Sequence, residues 1–235
     1  FVILPFERDF YQKYKYEVSF VGHPLIDAIA DRKQVSEANF RKEYELSNKK
    51  IIALLPGSRK QEITKMLSVM LSLVADFSEY QFVIAGAPSQ DFSFYKEIIN
   101  GREVAFINNK TYDLLSISYA ALVASGTATL ETALFKVPQV VCYKGGSISY
   151  QIAKRIITLK FISLVNLILE KEVVKELIQD DFNKRNLKIE LINILDASCR
   201  ENMFLNYFDL EKKLGGKGAS ENVATQIVAA LKTKT

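Results

Sequence analysis

A regular alternation of short apolar runs and amphipathic segments fills the chain from Lys50 to Tyr143. The apolar runs predict strands at 51–55, 81–86, 103–107, 121–124 and 139–143, and the segments between them predict helices at 60–78, 91–100, 111–119 and 127–136. This alternation predicts an α/β fold with a Rossmann-like, doubly wound parallel sheet. The remainder reads as a helical C-terminal segment, with helices predicted at 147–159, 170–179, 183–195, 197–213 and 220–232. Ligands of such sheets bind outside the carboxyl ends of the strands.

One strand-to-helix junction is predicted as an anion site. The apolar run at 121–124 passes through Ser125 and Gly126 into an amphipathic helix. The first turn of a helix exposes unpaired backbone N–H groups, which attract anions. Glu131 lies one position too late to close a capping box with Thr127, so its carboxylate is predicted to be available to another partner, such as a ribose diol. A capped helix with an exposed glutamate is the alternative interpretation.

A second junction, at 56–61, follows the strand predicted at 51–55. Ser58 and Gln61 fit a capping box. Arg59 and Lys60 are then placed in the first turn, where a cation opposes the helix dipole by roughly 0.3–1 kcal/mol. A diphosphate would reverse that sign, and the planar fork of arginine can bridge phosphate oxygens. The alternative is that both side chains bend into water. Neither junction has the spacing of a Walker P-loop or of the dinucleotide fingerprint.

Three further features have open interpretations. Asn166, inside the apolar run at 161–168, must find hydrogen-bond partners, either as a structural bridge or as a ligand contact. His23, between Gly22 and Pro24, is more typical of a structural histidine than of a catalytic one. A basic cluster in apolar surroundings suits either anionic lipid headgroups or a solvated helix face, and it comprises Lys144, Lys154, Arg155 and Lys160.

Composition disfavours several classes of function. The net charge is +4, and the 31 Lys and Arg residues are scattered without a nucleic-acid-binding motif, so nucleic acid is not expected as a partner. Cys142 and Cys199 read as reduced core thiols of a cytosolic protein, and with one histidine no metal site is predicted. The longest apolar region, at 156–169, is shorter than the about 20 residues that span a bilayer.

The start of the chain reads as the middle of a strand. Residues 1–4 and 18–21 are β-prone, and their partner strands are expected in a preceding segment. We therefore expect the later part of a longer protein. The predicted division is a remnant of an N-terminal Rossmann-like domain and linker at 1–30, a C-terminal Rossmann-like domain at 31–200, and helices at 201–235 that pack on the N-terminal domain or on a partner chain.

An ordered set of motifs resembles the lipid-A-disaccharide synthases, which are glycosyltransferases of the GT-B type. The motifs span nearly the whole chain, and they are Ile3-Leu4-Pro5-Phe6-Glu7, Phe20-Val21-Gly22-His23-Pro24-Leu25, Leu54-Leu55-Pro56-Gly57-Ser58-Arg59, Ser125-Gly126-Thr127-Ala128-Thr129-Leu130-Glu131, Asn166-Leu167-Ile168, Glu176-Leu177 with Gln179, and Gly215-Gly216 with Gly218-Ala219. Lys175 departs from the family, which usually has proline there.

The resemblance implies a transferase that joins UDP-2,3-diacylglucosamine to 2,3-diacylglucosamine 1-phosphate with inversion, without a metal or other cofactor. Arg59 would contact the diphosphate and stabilise the leaving group, the turn at 125–129 would cradle it, and Glu131 would bind the ribose. The donor-binding set carried over is Gly57, Ser58, Arg59, Ser125, Gly126, Thr127, Ala128, Thr129, Glu131, Asn166 and Gln179. No aspartate here matches the family's general base, which belongs to the N-terminal acceptor domain.

The same resemblance implies a cytoplasmic protein, with peripheral contact to the inner membrane and a homo-oligomer as open possibilities. Two alternatives stand beside the transferase. One is a binding module that holds a UDP-sugar without turnover, because the acceptor domain is missing. The other is a UDP-N-acetylglucosamine epimerase of related fold, which would need acidic and histidine catalytic groups that the sequence does not show.

Overall fold

Six parallel strands form one sheet in the computed structural model, which describes residues 1–145 and 160–232. The strands are β1 Lys50–Leu55, β2 Tyr80–Gly86, β3 Ala105–Asn108, β4 Ser118–Ala124, β5 Gln139–Tyr143 and β6 Lys175–Ile178. Their order across the sheet is β3-β2-β1-β4-β5-β6. The direction of progression reverses between the neighbours β1 and β4, which is the switch point at which sheets of this type bind ligands. The predicted fold class is confirmed.

Helices flank the sheet on both faces and continue beyond it. Three precede the sheet: α1 Phe6–Lys13, α2 Pro24–Ala30 and α3 Glu37–Glu43. Those between strands are α4 Lys60–Leu71, α5 Phe92–Ile99, α6 Thr111–Ser116, α7 Thr127–Leu134 and α8 Leu164–Leu169. The chain then continues through α9 Lys184–Leu195, α10 Ala197–Lys213 and α11 Ala219–Lys232. The expected helical C-terminal segment is therefore present.

Strand β1 shows how the sheet is buried on both faces. Residues 51–55 are all buried, and alternate side chains enter two different apolar clusters. Ile52 and Leu54 pack with the buried side of α4, whereas Ile51 joins a cluster that includes Phe40 of α3. Side chains of a strand alternate between its two faces, so a run without polar residues is what a doubly covered parallel strand requires. The buried residues of α4 are Ile63, Met66, Leu67, Met70 and Leu71.

The prediction of a helix at 170–179 is wrong. Helix α8 ends at Leu169, where Glu170 takes a left-handed conformation (φ 57°). The following residues form β6, which pairs in parallel with β5 and places Leu177 opposite Cys142. Glu, Lys and Leu favour helices, but pairing with a neighbouring strand determines the secondary structure of a segment as short as this one.

Several other element boundaries also differ from the predictions. The helix predicted at 60–78 ends at Leu71 and is followed by a short 3-10 turn at Val74–Asp76. The helix predicted at 111–119 ends at Ser116, because β4 begins at Ser118. The strands predicted at 1–4 and 18–21 are reduced to a single parallel bridge between Val2 and Phe20. The helix predicted at 147–159 lies outside the described residues.

The C-terminal helix α11 contacts the first part of the chain. Backbone N–H groups of Gly218 and Ser220 donate to the two carboxylate oxygens of Asp27, at 2.6 and 3.0 Å. These bonds hold the pKa of Asp27 below its ordinary value. Asp27 of α2 thereby caps the start of α11. The domain boundaries at 1–30, 31–200 and 201–235 stay predictions. No helix in the described ranges combines the length and apolar character needed to cross a membrane.

Candidate functional site

The two predicted anion-binding turns lie side by side. The last residue of β1, Leu55, is in register with Val123 of β4. A β-carbon built on Gly57 would lie 3.6 Å from the β-carbon of Ala124. The turn after β1 therefore lies against the carboxyl end of β4, at the switch point of the sheet.

The turn after β1 leaves the start of α4 without a side-chain cap. The capping box predicted for Ser58 and Gln61 is wrong, because Arg59 is the N-cap residue, with an extended backbone, and the helix begins at Lys60. The carbonyl of Ser58 instead accepts from Ser89 Oγ at 3.3 Å. First-turn N–H groups that lack a side-chain cap remain available to a ligand anion.

The Arg59 side chain is 82% exposed and pairs with Glu62, its Nη1 lying 2.9 Å from Glu62 Oε1. An exposed pair of this kind contributes about 0–1 kcal/mol, so the guanidinium is held only weakly. Gly57 has a positive φ of 102°, and a β-carbon there would approach Glu62 Oε2 to 3.2 Å. The glycine therefore suits the turn in both conformation and space.

The turn after β4 is built on Gly126. Its φ of 152° and ψ of −162° lie in a region that residues with a β-carbon rarely adopt. Ser125 is tied to its neighbours, with its N–H donating to the carbonyl of Cys142 at 2.9 Å and its Oγ to that of Ile162 at 3.2 Å. Helix α7 starts at Thr127 without a side-chain cap. A second helix start is thus open beside the first.

The remaining residues of this turn divide by burial. Gly126 and Thr127 are exposed, and Ala128 is half-buried. Thr129 is fully buried and its hydroxyl donates back to the carbonyl of Gly126 at 2.8 Å. Thr129 therefore shapes the turn, while Gly126 and Thr127 form its accessible surface.

The carboxylate of Glu131, which the sequence predicted to be available to another partner, has a partner within the protein. Tyr112 of α6 donates its hydroxyl to Glu131 Oε1 at 3.0 Å. Burial raises the pKa of Glu131, and the hydrogen bond from Tyr112 opposes that rise. Burial and the adjacent glutamate raise the pKa of Tyr112 to about 12, so the hydroxyl remains a donor. Sequence reasoning missed Tyr112, although its place just after β3 puts it at the carboxyl edge.

Tyr112 and Glu131 line a shared cavity beside the turn after β4. Its volume is about 400 Å³, and its lining residues are Asn109, Lys110, Thr111, Tyr112, Asp113 and Glu131. The cavity is open to solvent, and its lining includes charged and hydroxyl-bearing side chains that could bind a hydroxyl-rich group.

Asn166 is fully buried, and its amide is used within the protein. Its Oδ1 accepts from the N–H groups of Val173 and Val174 at 2.8 and 3.0 Å. Its Nδ2 donates to the Val174 carbonyl and to Glu176 Oε1, both at 2.8 Å. These contacts favour the structural bridge over the direct ligand contact.

Glu176 belongs to the Glu176-Leu177 motif but was assigned no role from the sequence, and in the structure it organises the start of α8. Its carboxylate accepts from the N–H groups of Ile162 and Ser163 at 2.9 and 3.0 Å, and from Ser163 Oγ at 2.7 Å. The start of α8 is thus already filled by a protein carboxylate, in contrast to those of α4 and α7.

Gln179 follows β6 directly and lies at the same edge of the sheet. Its backbone is left-handed, with φ 54°, and its N–H donates to the carbonyl of Tyr143 at 2.8 Å. Its Nε2 is buried and has no hydrogen-bond partner among the described residues. A buried unpaired amide is unfavourable by roughly 1–3 kcal/mol, and an acceptor on a ligand would relieve that.

His23 has a structural place. It caps α2, with its Nδ1 accepting from the N–H of Leu25 at 3.2 Å, and burial lowers its pKa. In the predicted basic cluster, Lys154 and Arg155 lie outside the described residues. The described ranges contain no group of three or more His, Cys, Asp or Glu side chains arranged to hold a metal.

A family model described as lipid-A-disaccharide synthetase matches residues 1–228. The chain belongs to the lipid-A-disaccharide synthase family. A lipid-A-disaccharide synthase of Syntrophus aciditrophicus is 37% identical over 239 residues, which cover 98% of this chain and 62% of the relative. Those of Geobacter sulfurreducens and Coxiella burnetii are 33% and 34% identical and are covered to 62% and 61% of their length. The chain therefore spans about three fifths of these curated lipid-A-disaccharide synthases.

Solved structures of similar fold support the Rossmann-like assignment. The UDP-GlcNAc 2-epimerase of Neisseria meningitidis bound to UDP-GlcNAc has a TM-score of 0.68 at 15% identity, with 97% of this chain and 61% of that chain covered. The S. aureus MnaA–UDP co-structure has a TM-score of 0.65 at 18% identity, with 94% and 56% covered. At these identities the likeness shows the fold alone.

Proposed function

We propose that this chain is the donor-binding part of a lipid-A-disaccharide synthase and holds a UDP-sugar at the carboxyl ends of β1 and β4. The observation that carries the proposal is the approach of Gly57, in the turn after β1, to Ala124 at the end of β4, beside two helix starts that have no side-chain cap among the described residues. Two adjacent helix N-termini suit two linked phosphates better than a single monovalent anion.

The reaction proposed for the whole protein joins UDP-2,3-diacylglucosamine to 2,3-diacylglucosamine 1-phosphate. The 6-hydroxyl of the acceptor attacks the anomeric carbon, the bond from that carbon to the diphosphate breaks, and UDP leaves with the electron pair. The hydroxyl proton passes to a base, which we place in the part of the relatives that this chain does not span. The product is a β-1,6 disaccharide formed with inversion.

The residues of this chain would act on the leaving group. Negative charge develops on UDP as the bond breaks, and preorganised donors stabilise it most when they need no rearrangement. Arg59 would supply the guanidinium, while the turns containing Ser58 and Gly126 would supply backbone N–H groups. Glu131 would accept from the ribose, and Gln179 would offer its unpaired amide to the same ligand. No metal or other cofactor is part of the proposal.

The proposal places the protein in the cytoplasm, with a lipid-linked donor and a lipid acceptor as partners. Peripheral contact with the inner membrane follows from the acyl chains of those substrates. The alternative function is a module that binds the UDP-sugar without transferring it. Both functions use the same donor site, and they differ only in turnover.

The test measures binding and turnover separately. Calorimetric titration of UDP-2,3-diacylglucosamine into this chain should show binding, and addition of acceptor should release no UDP. This chain covers 62% of the relative from Syntrophus aciditrophicus. A longer protein that also includes the part of the relatives preceding the covered region should release UDP when acceptor is added. Absence of binding would refute the donor role. Turnover by this chain alone would refute the assignment of the base to the preceding part.

A further inference from the structure

Tyr112 joins two helices, α6 and α7, that begin at the edge of the sheet where the donor is proposed to bind. It lies in the first turn of α6, which follows β3, and its hydroxyl reaches Glu131 Oε1 on α7 at 3.0 Å. The Glu131 carboxylate accepts no other hydrogen bond from the described residues, so its second oxygen remains available. The bond therefore fixes one oxygen of the carboxylate and leaves the other for a ligand.

The ring of Tyr112 packs against Phe135. Its centroid lies 5.3 Å from that of Phe135, and the Arg32 guanidinium carbon lies 4.8 Å from the Phe135 centroid. Arg32 Nη1 also lies 3.8 Å from Asp113 Oδ1, next to Tyr112 in sequence. A ring packed in this way restricts the directions from which its hydroxyl can donate.

We propose that Tyr112 is a positioning residue that acts through Glu131, orienting the carboxylate so that its second oxygen accepts from the ribose hydroxyls of the donor. This inference rests on the proposed donor function and names how one of its groups is held. A carboxylate without this bond would rotate about its terminal torsion, which is broad. Tyr112 then affects the ribose and leaves the diphosphate contacts unchanged.

The bond also maintains the charge on Glu131. Burial disfavours the ionised form and raises the pKa of Glu131, whereas a donor hydrogen bond favours that form. Other charged groups lie on the elements around α7. Lys110 and Asp113 line the cavity, and Arg32 lies near Asp113. On or after α2, Asp27 accepts from the N–H of Gly218 and Asp31 pairs with Lys217, and Lys136, just after α7, pairs with Glu211 of α10. Loss of the Tyr112 hydroxyl should therefore raise the pKa of Glu131 further.

The test compares UDP with 2′,3′-dideoxyuridine diphosphate, which lacks both ribose hydroxyls. Calorimetric titrations of the wild type should show tighter binding of UDP. Tyr112→Phe should weaken UDP binding about threefold to tenfold, the range of one hydrogen bond, and leave the dideoxy nucleotide unaffected. In a Glu131→Ala background the same change should have no further effect. Tyr14→Phe, at a side chain that is 70% exposed, is the matched control.

A pH series provides a second test, because a purely structural role of Tyr112 would not change how the ratio of UDP to dideoxy affinity depends on pH. As pH is lowered, the ratio of UDP to dideoxy affinity should begin to fall at a higher pH in Tyr112→Phe than in the wild type, since loss of the Tyr112 hydroxyl removes a hydrogen bond that lowers the pKa of Glu131. Equal weakening of both nucleotides, or no weakening of UDP, would overturn the inference. If the wild type binds neither nucleotide, the proposed function itself fails, and the inference fails with it.

Discussion

Gly57 packs against Ala124, so that a β-carbon on the glycine would lie 3.6 Å from the β-carbon of the alanine. The glycine belongs to the turn after β1, and the alanine ends β4. Because these strands are neighbours at the reversal of strand order, their following helices begin close together. A ligand with two linked anionic groups can therefore reach both helix starts, and the predictions below depend on this arrangement.

Replacement of Gly126 by alanine should weaken nucleotide binding through the backbone alone. The added β-carbon meets no atom of the described part of the chain within 4 Å, but φ of 152° is strained for alanine. We expect a loss of about 1–3 kcal/mol in the free energy of unfolding, or a shifted turn, and weaker UDP binding. Urea denaturation and calorimetry measure the two effects.

Gly101→Ala is the matched control for this change. Gly101 also has a positive φ, 75°, and open space for a β-carbon, but it follows α5 at the opposite edge of the sheet. It should lose stability without losing UDP affinity. Equal UDP affinity in Gly126→Ala and the wild type would count against the turn after β4 as a phosphate site.

Asn166→Ala should act on stability rather than on ligand affinity. The change leaves the buried N–H groups of Val173 and Val174 without their acceptor, which is unfavourable by about 2–4 kcal/mol in total. Urea denaturation should show this loss, while the folded fraction binds UDP within threefold of the wild type. Asn206→Ala, which removes bonds to Asn202 on the same helix, is a milder control. A large loss of affinity with little loss of stability would instead support a direct ligand contact.

His23 should make the free energy of unfolding depend on pH near neutrality. Burial lowers its folded-state pKa below the ordinary 6.5, so its contribution is present above that value and is lost as pH falls through the folded-state pKa. A protonated Nδ1 could no longer accept from the N–H of Leu25. Urea denaturation at pH 7.5 and 5.5 should show the loss, and His23→Asn, which retains an N-cap acceptor, should reduce it. An identical pH dependence in both proteins would contradict this assignment.

The central strands were predictable because their patterns are local. Residues 51–55 and 121–124 are apolar runs followed by turn residues, and both became strands that end where expected. Strand β6 was missed because Lys175 and Glu176 favour a helix when considered alone. Its pairing with β5 depends on a neighbour that lies more than 30 residues earlier in the chain, which a local pattern does not contain.

The motifs at Arg59 and Gly126 predicted two strand-to-helix turns, and helices begin directly after both residues, at Lys60 and Thr127. The ligand-binding roles of the two residues stay predictions. Tyr112 and Glu176 were missed because each acts through a contact between elements rather than through a sequence pattern. Asn166 was recognised as needing partners, but only the structure shows that Val173, Val174 and Glu176 satisfy it. Periodicity and spacing in a sequence do not identify hydrogen-bond partners that are distant along the chain.

The most direct test of the account is calorimetric titration of UDP into the wild type, Arg59→Ala and Arg185→Ala. Among the described residues Arg59 pairs with Glu62 alone, and that pair is exposed, so folding should be unchanged. We predict that the wild type and Arg185→Ala bind UDP alike and that Arg59→Ala binds about tenfold more weakly, the loss of about 1.4 kcal/mol expected for one charge-assisted contact. Unchanged affinity in Arg59→Ala, or no binding of UDP by the wild type, would contradict a diphosphate site between β1 and β4.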